Sequence, residues 1–188
     1  MNTDVIEILR QRLLTYPLQD RTPGARPASV LVPILRSPEP TLVFTRRTED
    51  LSSHRGEISF PGGRTDDGEH AMQGALREAN EELGIIPDRV EVLGRLPAVL
   101  TVVSGYEIEP WVGIIPRDHF IPNPKEVAEV LEVPVSVLMA SLTKRSQKFI
   151  RDGHMYTNPA FDVGINVIWG ATARIVNLLL ELIDEGPR

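Results

Sequence analysis

The stretch GRTDDGEHAMQGALREANEELGI, residues 63–85, decides the fold of this chain. Its polar, glycine-containing start follows PGG and predicts a loop over 61–68. The remainder predicts a helix from about Glu69 to Leu83. Gly84 would end that helix, because glycine is common just past a helix C-terminus.

Three carboxylates lie close together on this predicted helix. Glu78 and Glu82 are four residues apart and share one face, with Cβ atoms roughly 6 Å apart, and Glu81 reaches the same edge. Like charges at this spacing repel by a few tenths of a kcal/mol. A divalent cation between them would offset the repulsion, and Mg²⁺ prefers such oxygen ligands. The same residues could also form a solvated helical face.

The spacing resembles the Nudix box, GX5EX7REUXEEXGU, at every fixed position: Gly63, Glu69, Arg77, Glu78, Glu81, Glu82, Gly84 and Ile85. The resemblance implies an α/β (α+β) Nudix fold, with a mixed β-sheet sandwiched between helices. It also implies hydrolysis of a diphosphate linked to another group, with one to three Mg²⁺ ions, or Mn²⁺ in their place. We expect one domain over residues 1–188.

The same resemblance implies the role of each box residue. Glu78 and Glu82 would be the main metal ligands, with Glu81 assisting and the main-chain carbonyl of Gly63 as a further ligand. Arg77 would orient the neighbouring carboxylates, and Glu69 would join the same network. The general base varies among such enzymes and often comes from a later loop. Glu126 is the first candidate and Glu129 the second.

Two segments outside the box look like the coenzyme A pyrophosphatase branch of this family. They are LVFTRRTEDLSSHRGEISFPGG at 42–63 and IWGATARI at 168–175. The branch implies cleavage of coenzyme A, or of an acyl or oxidised form, into 4′-phosphopantetheine and adenosine 3′,5′-bisphosphate. Arg47 departs from the branch, whose members usually carry Ser or Ala there.

The substrate's phosphates would need cations, and arginine is the preferred bidentate partner. Arg46, Arg47 and Arg55 are the candidates, and Arg46 matches the motif. His54 could bond a phosphate or cap its loop. Loops 98–105 and 116–126 both remain candidates for substrate recognition. Trp111 and Trp169 could stack on adenine, although such aromatic residues more often lie in the core.

Other functions remain open at this point. The box does not encode the substrate pocket, so ADP-ribose, a dinucleotide or a noncanonical nucleoside triphosphate could be cleaved instead. A non-catalytic binding module usually loses box carboxylates, and all are present here. An RNA-cap hydrolase is disfavoured because the chain has no basic stripe.

Composition restricts the class of protein further. The chain has 188 residues, a net charge of −6 and no cysteine, so it has no disulfide or thiolate site. The acidic balance argues against general nucleic-acid binding. No apolar run has the length of a signal or a membrane span. We therefore expect a cytoplasmic protein with a small-molecule substrate and no membrane partner; a homodimer is allowed but not indicated.

Periodicity predicts the remaining elements. Helices are expected over 4–15, near 134–142 and over 166–184, and a strand pair over 28–35 and 41–46. Residues 126–133, EVAEVLEV, fit helix and strand patterns equally well. A hairpin is expected over 147–159, with Asp152-Gly153 as its turn.

Overall fold

The computed structural model describes residues 5–16, 22–48, 56–101, 104–140, 144–151 and 154–184. Four α-helices lie within these ranges: α1 Val5–Thr15, α2 Ala71–Leu83, α3 Val135–Met139 and α4 Gly170–Asp184. Eleven strands accompany them: β1 Arg26–Leu35, β2 Thr41–Arg47, β3 Ile58–Ser59, β4 Gly62–Arg64, β5 Glu91–Arg95, β6 Val99–Leu100, β7 Tyr106–Ile115, β8 Val127–Pro134, β9 Lys144–Arg151, β10 His154–Val163 and β11 Asn166–Ile168. A 3-10 helix, Pro87–Arg89, follows α2.

The main sheet is mixed, as predicted. Its central strands β1 and β7 are parallel over their whole length, from Arg26↔Tyr106 to Leu35↔Ile115. All other pairings in this sheet are antiparallel: β2 and β4 flank β1, β5 and β6 flank β7, and β3 and β8 flank β2. Strands β9 to β11 form a second, antiparallel sheet.

Helices cover both faces of the main sheet, which confirms the predicted sandwich. Alternate side chains of β1 divide between two apolar clusters, because successive strand residues point to opposite faces. Leu31 and Leu35 join the cluster that contains α2, whereas Val32 and Ile34 join the cluster that contains α1 and α4. We call these two surfaces the box face and the opposite face.

Strand β8 resolves the ambiguity over residues 126–133. It pairs with β2 from Thr41↔Pro134 to Arg46↔Glu129, and a bulge then brings Arg47 opposite Val127. The extra residue shifts which side chains share a face. This irregularity explains why neither a helical nor an alternating pattern was clear in the sequence.

Two predicted segments contain a strand that was not predicted. The C-terminal helix begins at Gly170 rather than at 166, because residues Asn166–Ile168 form β11 and pair with β10. The predicted loop over 61–68 contains β4, which pairs with β1 through Gly63↔Ser29. Both short strands depend on partners distant in sequence, so local patterns did not reveal them.

The other predicted elements are present. Helix α1 buries Leu9 and Leu13, and α3 lies where a short helix was expected. Strands β9 and β10 form the expected hairpin, with Arg151 opposite His154, while its turn at 152–153 lies outside the described residues. In the described part of the chain, no helix is long and apolar enough to cross a membrane.

Candidate active site

Local contacts at both ends fix helix α2, which carries the clustered carboxylates. At its start, Nδ1 of His70 accepts a hydrogen bond from the Met72 N–H at 3.2 Å. At its end, Gly84 adopts a left-handed conformation with φ of 70°, and its N–H donates to the Asn80 carbonyl at 2.8 Å. The helix therefore begins two residues later than predicted and ends as predicted.

Arg77 gathers three acidic side chains around one guanidinium. Its Nε and Nη2 donate to the two oxygens of Glu69 at 3.0 and 3.1 Å. Its Nη1 donates to Glu78 at 2.9 Å and to Glu81 at 3.4 Å. The Arg77 hydrogen bonds hold the pKa of Glu69 below its usual value, with help from the Asp66 N–H. Glu69 is thus a fixed anion that orients Arg77.

The main chain at Gly63 lies directly against the Glu78 carboxylate. A Cβ atom at residue 63 would fall 2.6 Å from both the carboxyl carbon and Oε1 of Glu78. Glycine is therefore the residue that permits this approach. Burial raises the pKa of Glu78, although the Arg77 hydrogen bond opposes the shift.

Glu82 is the most buried box carboxylate, with 4% of its side chain exposed, and it lies close to the Arg47 guanidinium. The Nη1 of Arg47 lies 3.9 Å from Oε1 of Glu82. Within the described residues, Nε of Arg47 and Oε2 of Glu82 are buried without a hydrogen-bond partner. Burial raises the pKa of Glu82 to about 8, and the Arg47 charge opposes that shift.

Glu126 faces the same group of carboxylates from the loop before β8. Its charge contributes to the raised pKa values of both Glu78 and Glu82. Its Oε1 accepts a hydrogen bond from Nδ2 of Asn123 at 3.1 Å. Glu129, the second candidate, pairs instead with Arg46. The geometry therefore favours Glu126 over Glu129.

The donor set suits a hard divalent cation. The Glu78 carboxylate lies against the Gly63 main chain, and the Glu82 carboxylate interacts with the Gly62 main chain and with the Glu78 charge. One buried Glu82 oxygen has no partner among the described residues. Across those residues, no three His, Asp or Glu side chains already form a complete ligand set. Mg²⁺ is commonly bound by one or two carboxylates plus waters and substrate phosphates, so the available groups are sufficient. Glu81 lies at the edge, with 54% of its side chain exposed.

The two predicted arginines of β2 point to opposite faces of the sheet. Arg47 lies on the box face beside Glu82. Arg46 lies on the opposite face, where Nε donates to Glu129 at 2.8 Å and Nη2 donates to Oδ1 of Asn166 at 2.6 Å. Adjacent strand residues alternate between faces, so one pocket does not receive both directly.

The remaining predicted contacts are separate from this cluster or fall on residues that the structure does not describe. His54 and Arg55 lie outside the described residues. Trp111 packs against the apolar cluster of the box face, with its ring 5.7 Å from that of His70. Trp169 is 44% exposed and is not a core residue.

Asn123 was not predicted as a site residue from the sequence, yet it forms hydrogen bonds with both Glu126 and the C-terminal end of α2. The Asn123 N–H donates to the Glu82 carbonyl at 2.8 Å. Asparagine in a proline-rich loop is ordinary turn chemistry, so nothing in the sequence distinguished this residue. Of the two loops considered for substrate recognition, 116–126 is hydrogen-bonded to the end of α2 through Ile121 and Asn123.

Comparison with known proteins agrees with the fold and identifies the family. Residues 25–153 match the NUDIX domain family. The uncharacterized Nudix hydrolase NudL of Pectobacterium atrosepticum is 41% identical over 171 residues, which cover 86% of this chain and 85% of that protein. NudL of Cronobacter sakazakii is 37% identical over 180 residues, which cover 95% and 93%.

Solved structures show the same fold at low sequence identity. A MutT/nudix family protein from Enterococcus faecalis has a TM-score of 0.58 and 13% identity, covering 97% of this chain and 71% of that one. A Deinococcus radiodurans protein has a TM-score of 0.56 and 17% identity, covering 85% and 88%.

The fold, the box and these matches define a class: the chain belongs to the NUDIX domain family and is a Nudix hydrolase. Proteins of this family act on small-molecule substrates and generally use divalent metal ions such as Mg²⁺.

Proposed function

We propose that this Nudix hydrolase cleaves the diphosphate of coenzyme A or its derivatives. The products would be 4′-phosphopantetheine and adenosine 3′,5′-bisphosphate. The reaction adds one water across the P–O–P bond, so each product keeps one of the two phosphates. We expect this reaction to take place in the cytoplasm; a homodimer also stays a prediction.

The proximity of the two coenzyme A-type segments carries this proposal. Both contribute to the apolar cluster of the opposite face, the upstream one through Phe44 and Ile58 and the downstream one through Ile168 and Ile175. Arg46 belongs to the upstream segment, and its partner Asn166 comes two residues before the downstream segment. The same strand, β2, carries Arg47 to the box face beside Glu82. The two segments resembling the coenzyme A branch thus meet around the strand that borders the carboxylates.

The residues of the box face divide the chemistry among them. Glu78, Glu82 and the Gly63 carbonyl would hold the cation, with Glu81 assisting from the exposed edge and Arg77 fixing the carboxylates. Mg²⁺, or Mn²⁺, would supply charge neutralisation for the diphosphate, and we expect between one and three ions.

Proton transfer and substrate binding are assigned to different residues. Glu126 would accept the proton of the attacking water, since it faces Glu78 and Glu82 from the neighbouring loop. Arg47 would donate to a phosphate oxygen through the buried Nε that lacks a partner among the described residues. Arg46, His54 and Arg55 stay candidates for substrate contact.

Product analysis tests this function. Purified protein is incubated with Mg²⁺ or Mn²⁺ and, separately, with coenzyme A, ADP-ribose, NADH and diadenosine polyphosphates. We expect adenosine 3′,5′-bisphosphate from coenzyme A to form faster than any other product. The Glu82→Gln variant is the control, because it should lose turnover and thereby exclude a contaminating phosphatase.

The other outcomes distinguish the alternatives. Faster cleavage of another substrate would retain the roles of Glu78 and Glu82 and reject coenzyme A specificity. If no substrate is cleaved, the chain is better explained as a binding module on the same fold.

A further inference from the structure

Main-chain hydrogen bonds connect the loop between β7 and β8 to the C-terminus of α2. The Ile121 N–H donates to the Leu83 carbonyl at 2.9 Å, and the Asn123 N–H donates to the Glu82 carbonyl at 2.8 Å. Both carbonyls belong to the last turn of the helix, where helical partners are lacking. The loop therefore keeps a fixed position relative to the residue that carries the buried carboxylate.

Asn123 uses every one of its polar groups in this loop. Its carbonyl accepts from the N–H groups of Glu126 at 3.0 Å and Val127 at 2.8 Å. Its Oδ1 accepts from the Lys125 N–H at 3.2 Å, and its Nδ2 donates to Oε1 of Glu126 at 3.1 Å. Because Oδ1 must face a donor, the amide has one consistent orientation, with its NH₂ group towards Glu126.

The Glu126 main chain is held independently of that amide. Its carbonyl accepts from the Thr48 N–H at 3.0 Å, which joins the loop to the end of β2. The backbone position of Glu126 is thus set by two neighbours. The Asn123 side chain instead contacts the Glu126 carboxylate.

We propose that Asn123 is the positioning residue for Glu126, holding one carboxylate oxygen so that the other faces the box carboxylates. A neutral amide suits this task, because it orients the carboxylate without adding a charge that would make it a weaker base. The inference rests on the proposed function, in which Glu126 accepts a proton from water. It applies to whichever diphosphate the enzyme cleaves.

Two substitutions separate the positioning role from a role in the turn. Asn123→Ser keeps a side-chain oxygen for the Lys125 N–H but is too short to reach Glu126. Asn123→Asp keeps the size and the oxygen that accepts from the Lys125 N–H. It replaces the NH₂ group that donates to Glu126 with a carboxylate oxygen. Each should lower kcat by roughly 10- to 100-fold, part of what a general base contributes, with KM within about twofold of wild type because only a transition-state interaction is lost.

A double-mutant cycle with Glu126→Gln provides the decisive readout. If Asn123 acts only through Glu126, the double variant Asn123→Ser/Glu126→Gln should have the same kcat as Glu126→Gln alone. Thermal melting and the Mg²⁺ requirement of each variant verify that the fold and the cation site are retained. The substrate is coenzyme A, or the member of the panel that wild type cleaves fastest.

The results that would overturn the role of Asn123 differ from those that would overturn the proposed function. An unchanged kcat in both Asn123 variants, or a further drop in the double variant equal to that of Asn123→Ser alone, would overturn the positioning role while the proposed function survives. A wild-type kcat in Glu126→Gln would remove Glu126 as the base, and this inference with it. No turnover of any substrate by the wild-type protein would overturn both.

Discussion

Glycine at position 63 is required by its distance from the Glu78 carboxylate rather than by its own backbone angle. A Cβ atom there would meet the end of a flexible side chain at 2.6 Å, so the main chain need not move. The carboxylate would move instead. Any side chain at position 63 would therefore displace Glu78, a proposed metal ligand.

Gly63→Ala should consequently reduce activity far more than stability. Displacement of a reacting group by about 1 Å can cost roughly 100-fold in rate, and we expect a loss of this order. Kinetics and thermal unfolding of the variant measure the two effects.

Gly164→Ala is the matched control for this substitution. Gly164 has a φ of 60° and open space around it, so alanine should cost about 1 kcal/mol of stability and leave turnover unchanged. Equal loss of activity in both variants, or unfolding of Gly63→Ala, would contradict the assignment.

Arg47 should contribute to substrate binding. A charge-assisted hydrogen bond contributes about 1.5–3 kcal/mol, so Arg47→Ser should raise the KM for the substrate by roughly 10- to 100-fold. Arg47→Lys should recover part of this loss. Steady-state kinetics at saturating Mg²⁺ measure it. An unchanged KM together with a lower Mg²⁺ requirement would mean that Arg47 only neutralises Glu82.

Among the elements, α2 combines structural and chemical roles on different surfaces. Ala75, Ala79 and Leu83 are fully buried against the sheet, whereas Glu78 and Glu82 line the proposed site. Repulsion among its carboxylates destabilises the helix, and capping contacts at both ends offset that cost. His70 at one end and Gly84 at the other provide them.

The His70 cap can be tested by stability measurements. His70→Ala should lower the free energy of unfolding by about 0.5–2 kcal/mol, the usual effect of losing an N-cap acceptor. His70→Asn should preserve it, because asparagine is a favoured cap. Denaturant unfolding of the three proteins gives the comparison. Equal destabilisation in both variants would indicate that the ring contact with Trp111 matters more than the cap.

Across the whole molecule, the site assembles where α2, β4, the end of β2 and the loop before β8 come together. Helix α2 contributes the carboxylates, and β4 contributes the main chain that lies against Glu78. Strand β2 contributes the Arg47 guanidinium, and the loop contributes Glu126, the candidate base. Burial of Glu82 at this junction opposes its ionisation. The stability of the whole protein should therefore depend on pH.

The sign of this dependence follows from the raised pKa. Burial raises the pKa of Glu82 from 4.5 to about 8, so between these values the folded state binds more protons than the unfolded state. In EDTA, the free energy of unfolding should fall as pH rises from about 4.5 to about 8, by an amount on the order of a few kcal/mol. Glu82→Gln should flatten the profile. A wild-type profile that is flat or rises with pH would contradict this.

Much of the site could be predicted from local sequence. Spacing placed Glu78, Glu81 and Glu82 on one helix and Gly84 at its end, because helical geometry repeats over a few residues. The same reasoning missed β4 and β11 and left β8 open between helix and strand. Each of these strands is defined by hydrogen bonds to a partner far along the chain, and β8 also contains a bulge that breaks its alternation.

The sequence by itself thus determined the family, the helix that carries the carboxylates and the chemical class of the reaction, since these depend on short, fixed spacings. Only the tertiary structure placed Arg46 and Arg47 on opposite faces, brought Glu126 towards the box carboxylates while Glu129 pairs with Arg46, and showed the contact between Asn123 and Glu126. These distinctions depend on which face of a strand a side chain occupies and on where a loop meets the end of a helix. Contacts between distant segments decide both, and no local spacing records them.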